Sequence, residues 1–99
     1  MSLTVLITRD VEDRYRGFLA STMLEASAGV YVSKSLTPRA RDRIWKVVTE
    51  WHATLGRGAL ILLYPDSACD GGLAVKTLGA PRRRPVPIDG TLLMLRVNP

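Results

Sequence analysis

The sequence contains one cysteine, Cys69, and one histidine, His52. A lone cysteine excludes an internal disulfide and any paired-cysteine zinc knuckle. A lone imidazole, next to Trp51 and far in sequence from any second ligand, is a poor metal site and reads as a surface residue. No apolar run approaches the ~20 residues that a membrane-spanning helix needs. The opening MSLTVLITRD has no basic residue ahead of its short apolar stretch, so it does not read as a secretory signal, and a cytoplasmic protein is expected. Aromatic residues are scarce, at 6%. Tyr31 is the only one on the expected second strand, so the stacking signature of an RNA-recognition sheet is missing. Ser21, Ser27, Ser33, Ser35 and Ser67 show no nucleophile patterning, and the glycines at 56, 58, 71 and 72 lack the spacing of a phosphate-cradling loop. Repeats and low-complexity segments are also absent.

What the chain does have is positive charge. Fourteen Lys and Arg against nine Asp and Glu leave +5 on 99 residues, enough for one domain with a modest core. A basic surface of this kind concentrates polyanions and steers them in, which points to nucleic acid or an acidic surface as partner. The charge is densest at Arg82-Arg83-Arg84, between Pro81 and Pro85. Flanking prolines disfavour a central strand, so the triplet is expected on an extended connector. There it is either a solvated basic loop or a phosphate grip, since the planar guanidinium binds phosphate in a bidentate manner and keeps its charge.

The hydrophobic pattern alternates between strand and helix. Leu3 to Thr8 reads as an opening strand. Asp10 is placed as an N-cap, with Glu12 and Asp13 in the first turn of a helix whose apolar stripe runs from Val11 through Tyr15, Phe18 and Leu19 to Ala26. After Gly29, residues 30–32 form a short strand. Thr37-Pro38 starts a second helix that continues to Leu55 and stops at Gly56. Strands follow at 59–64 and 73–78, and Asp89-Gly90 marks a turn before a last strand, Thr91 to Val97. The order β-α-β-α-β-β, basic connector, β predicts an α+β, ferredoxin-like two-layer sandwich with four to five strands and two helices on one face. The opposite sheet face would be left apolar, so a homodimer joined through the sheets is expected. Residues 1–80 form the domain. Residues 81–99 form the connector and a terminal strand suited to pairing with a partner's sheet edge.

Arg14 and Arg16 on the first helix lie about 200° apart around its axis, one on each margin of the apolar stripe. They either snorkel along the core edge or, against a dipole cost of ~0.3–1 kcal/mol, serve a bound phosphate backbone. Asp10, at the end of the first strand, is a possible Mg²⁺ ligand of a nuclease, but one carboxylate beside Arg9 is a thin donor set and the N-cap role is more economical.

Arg14-Tyr15-Arg16-Gly17, Met23-Leu24-Glu25, Ala28-Gly29-Val30-Tyr31-Val32, Arg43-Ile44-Trp45 and Gly79-Ala80-Pro81-Arg82-Arg83-Arg84-Pro85-Val86 with Asp89-Gly90 occur in that order. As an ordered set they resemble the small second core protein of CRISPR adaptation (Cas-two) in its subtype I-E form. The resemblance implies a homodimer inside an integrase complex with the Cas-one protein, which supplies the transesterification. The small subunit is then a non-catalytic scaffold that holds the prespacer, a double-stranded DNA, for insertion into the CRISPR array, with no cofactor required and no membrane involved. It further implies that Arg14, Arg16, Arg82 and Arg83 contact the duplex backbone. Arg84 adds charge where the family need not be basic. Residues Thr91, Leu92, Leu93, Met94, Leu95, Arg96 and Val97 are the implied docking surface for the partner. Other members of the wider family resemble Mg²⁺-dependent endonucleases with a carboxylate ending the first strand. Here that position falls on Arg9, with Asp10 next to it, which leaves a metal-dependent endoribonuclease or deoxyribonuclease as the alternative.

Overall fold

The computed structural model describes residues 3–79, together with the backbone of residues 83–88 and 91–96. Its first five strands are β1 (Thr4–Arg9), β2 (Leu24–Ser27), β3 (Val30–Ser33), β4 (Ala59–Pro65) and β5 (Leu73–Leu78). Helix α1 (Asp13–Ala20) joins β1 to β2, and helix α2 (Pro38–Leu55) joins β3 to β4. The strands lie in the order β2-β3-β1-β4-β5, every neighbouring pair antiparallel. The first four strands and two helices have the ferredoxin-like βαββαβ arrangement, and β5 extends the sheet beyond β4. The expected fold class is therefore the observed one.

The second helix forms as its sequence signals require. The Thr37 hydroxyl accepts the Ala40 N–H at 3.1 Å, Pro38 occupies the first turn, and Gly56 closes the helix with φ +67°. The first helix differs at both ends from the expectation. Asp10 is not its N-cap: Glu12 holds that position, without a side-chain cap bond, and the helix begins at Asp13. Asp10 instead has φ +56° in the turn after β1. Gly58, just before β4, lies close against this turn: a Cβ there would sit 2.6 Å from the Arg9 carbonyl oxygen.

At the other end, α1 stops at Ala20, well short of Ala26. Ser21 and Thr22 turn their hydroxyls back onto the carbonyls of Phe18 and Leu19, at 2.6 and 3.2 Å. Such local bonds compete with helix propagation. Met23 then enters the core, and Leu24–Ser27 becomes a strand paired with β3. Pairing across the Gly29 hairpin overrides the helical preference of Leu24-Glu25-Ala26.

The core joins one sheet face to both helices. Leu6, Tyr31, Leu60, Leu62 and Tyr64 rise from the strands to meet Tyr15 and Leu19 of α1 and Ile44 and Val48 of α2. Fully burying one such side chain stabilises by ~1.5–3 kcal/mol, so this layer contributes most of the driving force. On the reverse face the register aligns Leu24, Val32, Val5, Leu63 and Val75 in one apolar row across all five strands. Val5, Val32, Leu63 and Val75 are half-buried, and Leu24 is 69% exposed.

The C-terminal region departs from the expected connector. Residues Arg83–Ile88 form a strand, β6, which pairs antiparallel with β7 (Thr91–Arg96) as a separate two-stranded sheet. Prolines 85 and 87 are two apart, so both missing N–H groups fall on one edge, and the strand can still pair along the other. The proline argument rules out a central strand but permits this ribbon. β7 therefore has its β partner in its own chain. Ala80, Pro81, Arg82, Asp89, Gly90 and Val97 lie outside the described residues. No helix among the described residues is long and apolar enough to cross a membrane.

Candidate nucleic-acid interface

Helix α1 carries its two arginines on opposite flanks, as the 100° step per residue requires. Tyr15, between them, is fully buried and anchors the helix. Edge-on contacts of Tyr15 and Phe18 with the Trp51 indole, both at 5.3 Å between ring centres, lock α1 against α2. This packing brings the Arg14 guanidinium over the same indole, 5.3 Å from its centre. A cation over an aromatic face gains ~0.5–1 kcal/mol at an exposed site.

Arg16 points the other way, toward the β2 edge. Its Nε–H donates to Glu25 Oε1 at 3.2 Å, and its side chain remains 71% exposed. The second carboxylate oxygen of Glu25 accepts the Gly29 N–H at 3.3 Å. Both residues line a cleft of about 460 Å³ between the α1 N-terminus and the β2–β3 hairpin, together with Glu12 and Tyr31. Burial, and after it the Glu25 carboxylate, raises the pKa of the Tyr31 hydroxyl above its ordinary value. The helix-margin reading of the two arginines is thus correct in geometry. Their partners, Trp51 and Glu25, were not assigned from sequence: no spacing rule links residues 14 and 51 or 16 and 25, because the link exists only once α1 is docked.

The remaining candidates are distributed differently. Arg83 and Arg84 begin β6, opposite Arg96 and Leu95, so both belong to a ribbon and not to a loose connector. Thr91, Leu92, Leu93, Met94, Leu95 and Arg96 make up β7. Arg82, the third member of the triplet, lies outside the described residues, as does Val97. Asp10 is exposed, and its Oδ1 accepts from Arg57 Nη2 at 3.2 Å. Among the described residues no group of three or more His, Cys, Asp or Glu is placed to hold a metal ion. Within one chain Asp10 is a single carboxylate facing a guanidinium, short of the near-octahedral set of oxygen donors that Mg²⁺ takes.

The arrangement presents two exposed guanidiniums on one helix, each with a fixed inner contact and a free outer edge. Such a pair can hold the backbone of a polyanion, and it reads no bases. Over residues 3–93 the sequence matches the family model described as CRISPR-associated protein (Cas_Cas2CT1978). A match across nearly the whole chain, on a ferredoxin-like fold, leaves one conclusion: this chain belongs to that CRISPR-associated, Cas-two-type family and has a role in CRISPR adaptation.

Proposed function

We propose that the chain is the subtype I-E form of the Cas-two-type subunit, a non-catalytic scaffold that grips the backbone of a prespacer DNA duplex. Two copies pair through their sheets, and Cas-one subunits of the integrase complex dock against the C-terminal region and perform the insertion. The observation that carries this reading is the placement of Arg14 and Arg16, exposed on both flanks of α1 and tied down at Trp51 and Glu25. The apolar row from Leu24 to Val75 supports sheet-to-sheet pairing, because a continuous apolar stripe gains from removal from water. Doubling the chain by two-fold symmetry doubles the arginine set, and each phosphate neutralised releases counterions.

The test compares native chain, Arg14→Ala with Arg16→Ala, and Arg82→Ala with Arg83→Ala, in duplex binding and in spacer integration with the Cas-one partner. Both pairs of substitutions are expected to weaken binding to every duplex sequence alike, flatten its salt dependence, and abolish integration. Normal integration by both double variants would refute the scaffold reading. Incubating the purified chain with RNA and DNA, with Mg²⁺ or chelator, tests the endonuclease alternative. Cleavage lost on Asp10→Ala would establish that alternative instead.

A further inference from the structure

We propose that Glu25 is a positioning residue for Arg16, holding its guanidinium so that the outer fork faces a phosphate. The proposal deepens the duplex-grip reading and rests on it.

Its basis is a chain of contacts running from the sheet to the arginine. The Gly29 carbonyl accepts two hydrogen bonds from Thr8 of β1, from the backbone N–H at 2.7 Å and from the hydroxyl at 3.1 Å. Gly29 is thereby fixed to the central part of the sheet, and with φ +76° and a Cβ position only 2.8 Å from the Thr8 carbonyl oxygen, only glycine fits. Its N–H then donates to Glu25 Oε2 at 3.3 Å. Glu25 stands opposite Tyr31 in the β2–β3 register, which turns it to the helix-covered side of the sheet. From there Oε1 accepts the Arg16 Nε–H at 3.2 Å.

Arginine has five N–H donors in a rigid fork. Glu25 occupies the Nε edge, which leaves the terminal Nη pair for a bidentate contact with an anion. The ion pair itself does little for the fold, since one partner is 71% exposed and exposed pairs of this kind are screened by water. Nor does a carboxylate next to a phosphate site add affinity through its charge, which repels the polyanion. The consistent role for an anchored acid here is to remove rotamer freedom from Arg16 before binding. Ordering one long side chain in advance corresponds to roughly a 3- to 10-fold gain in affinity.

The experiment measures anisotropy of a labelled DNA duplex titrated with the full chain, in the native form and in Glu25→Ala, Glu25→Gln, Arg16→Ala and the Glu25→Ala/Arg16→Ala double variant. Thermal melts are run on each. Glu25→Ala is expected to bind about 3- to 10-fold more weakly than the native chain. Glu25→Gln should recover most of that loss, because its amide oxygen can still accept the Nε–H. In the Arg16→Ala background, Glu25→Ala should cause no further weakening. If Arg16→Ala weakens binding but Glu25→Ala does not, the positioning role is wrong and the grip survives. Equal weakening by Glu25→Ala in both backgrounds would assign Glu25 to the hairpin's structure and likewise overturn the proposal. If Arg16→Ala binds like the native chain, Arg16 is no part of the grip and this inference falls, while the duplex-grip reading is decided by the Arg14/Arg16 and Arg82/Arg83 double variants.

Discussion

Replacing Tyr15 by Phe is expected to stabilise the protein while leaving the proposed duplex binding untouched, although Tyr15 sits between Arg14 and Arg16. The Tyr15 side chain is fully buried, and its hydroxyl has no hydrogen-bond partner. A buried polar group without a partner costs ~1–3 kcal/mol in lost hydration, and phenylalanine removes that penalty. Two opposing effects must be weighed. The ring stays in place, so the edge-on contact with Trp51 at 5.3 Å and the apolar packing persist. The vacated space is that of one oxygen atom; at ~24 cal/mol per Å³ of cavity a void of that size costs only a few tenths of a kcal/mol. The net expectation is a gain of ~1–2 kcal/mol, since relief of desolvation exceeds the cavity term. For a chain of 99 residues each kcal/mol corresponds to roughly 4–8 °C in Tm. Urea or thermal unfolding of native and Tyr15→Phe protein reads the stability, and duplex titration reads the grip. A loss of 1 kcal/mol or more would show that the hydroxyl does have a partner and would refute the reasoning. A drop in duplex affinity at unchanged stability would show instead that Tyr15 takes part in binding.

The same reasoning about space and charge yields two further expectations. Gly58→Ala should destabilise the protein by at least ~2 kcal/mol, because its φ of +82° strains any L side chain and its new Cβ would meet the Arg9 carbonyl oxygen at 2.6 Å; a variant that melts with the native protein would contradict this. Burial, before any other cause, raises the hydroxyl pKa of both Tyr15 and Tyr31 above 10.0. The folded phenols therefore hold protons that the unfolded chain releases, so their contribution to stability is complete below about pH 10 and is lost as pH rises beyond it. Above that pH, Tm should fall as tyrosinate absorbance rises, and a flat Tm through the tyrosinate transition would contradict it.

Legibility from sequence varied by element, and for identifiable reasons. Helix α2 was readable to the residue because its signals are local: a threonine cap, a proline in the first turn, a regular apolar stripe and a terminal glycine. Strand β4 was readable as a continuous apolar run between Gly58 and Pro65, and β5 as a short strand-like segment between Gly72 and Gly79. Strand β2 was not, since Leu24-Glu25-Ala26 prefers helix and becomes strand only because β3 lies alongside. Strand β7 was readable as the last strand, whereas its partner β6 was hidden by Pro85 and Pro87, which forbid pairing on one edge and leave the other free. The arginines of α1 could be assigned to opposite flanks from the helical repeat alone. What holds each of them could not, because Trp51 and Glu25 are brought in from elements far along the chain.

The sequence by itself determined that this is a basic, single-core α+β protein with the ordered motifs of a CRISPR-associated family. Charge, periodicity and capping act over a few residues and can be read there. The tertiary structure alone decided how Asp10 is used, where α1 ends, and which residues hold Arg14 and Arg16. It also placed Arg83 and Arg84 in a paired ribbon and not on the expected connector. Each of those outcomes depends on backbone approach or side-chain contact between distant segments, which no local pattern encodes.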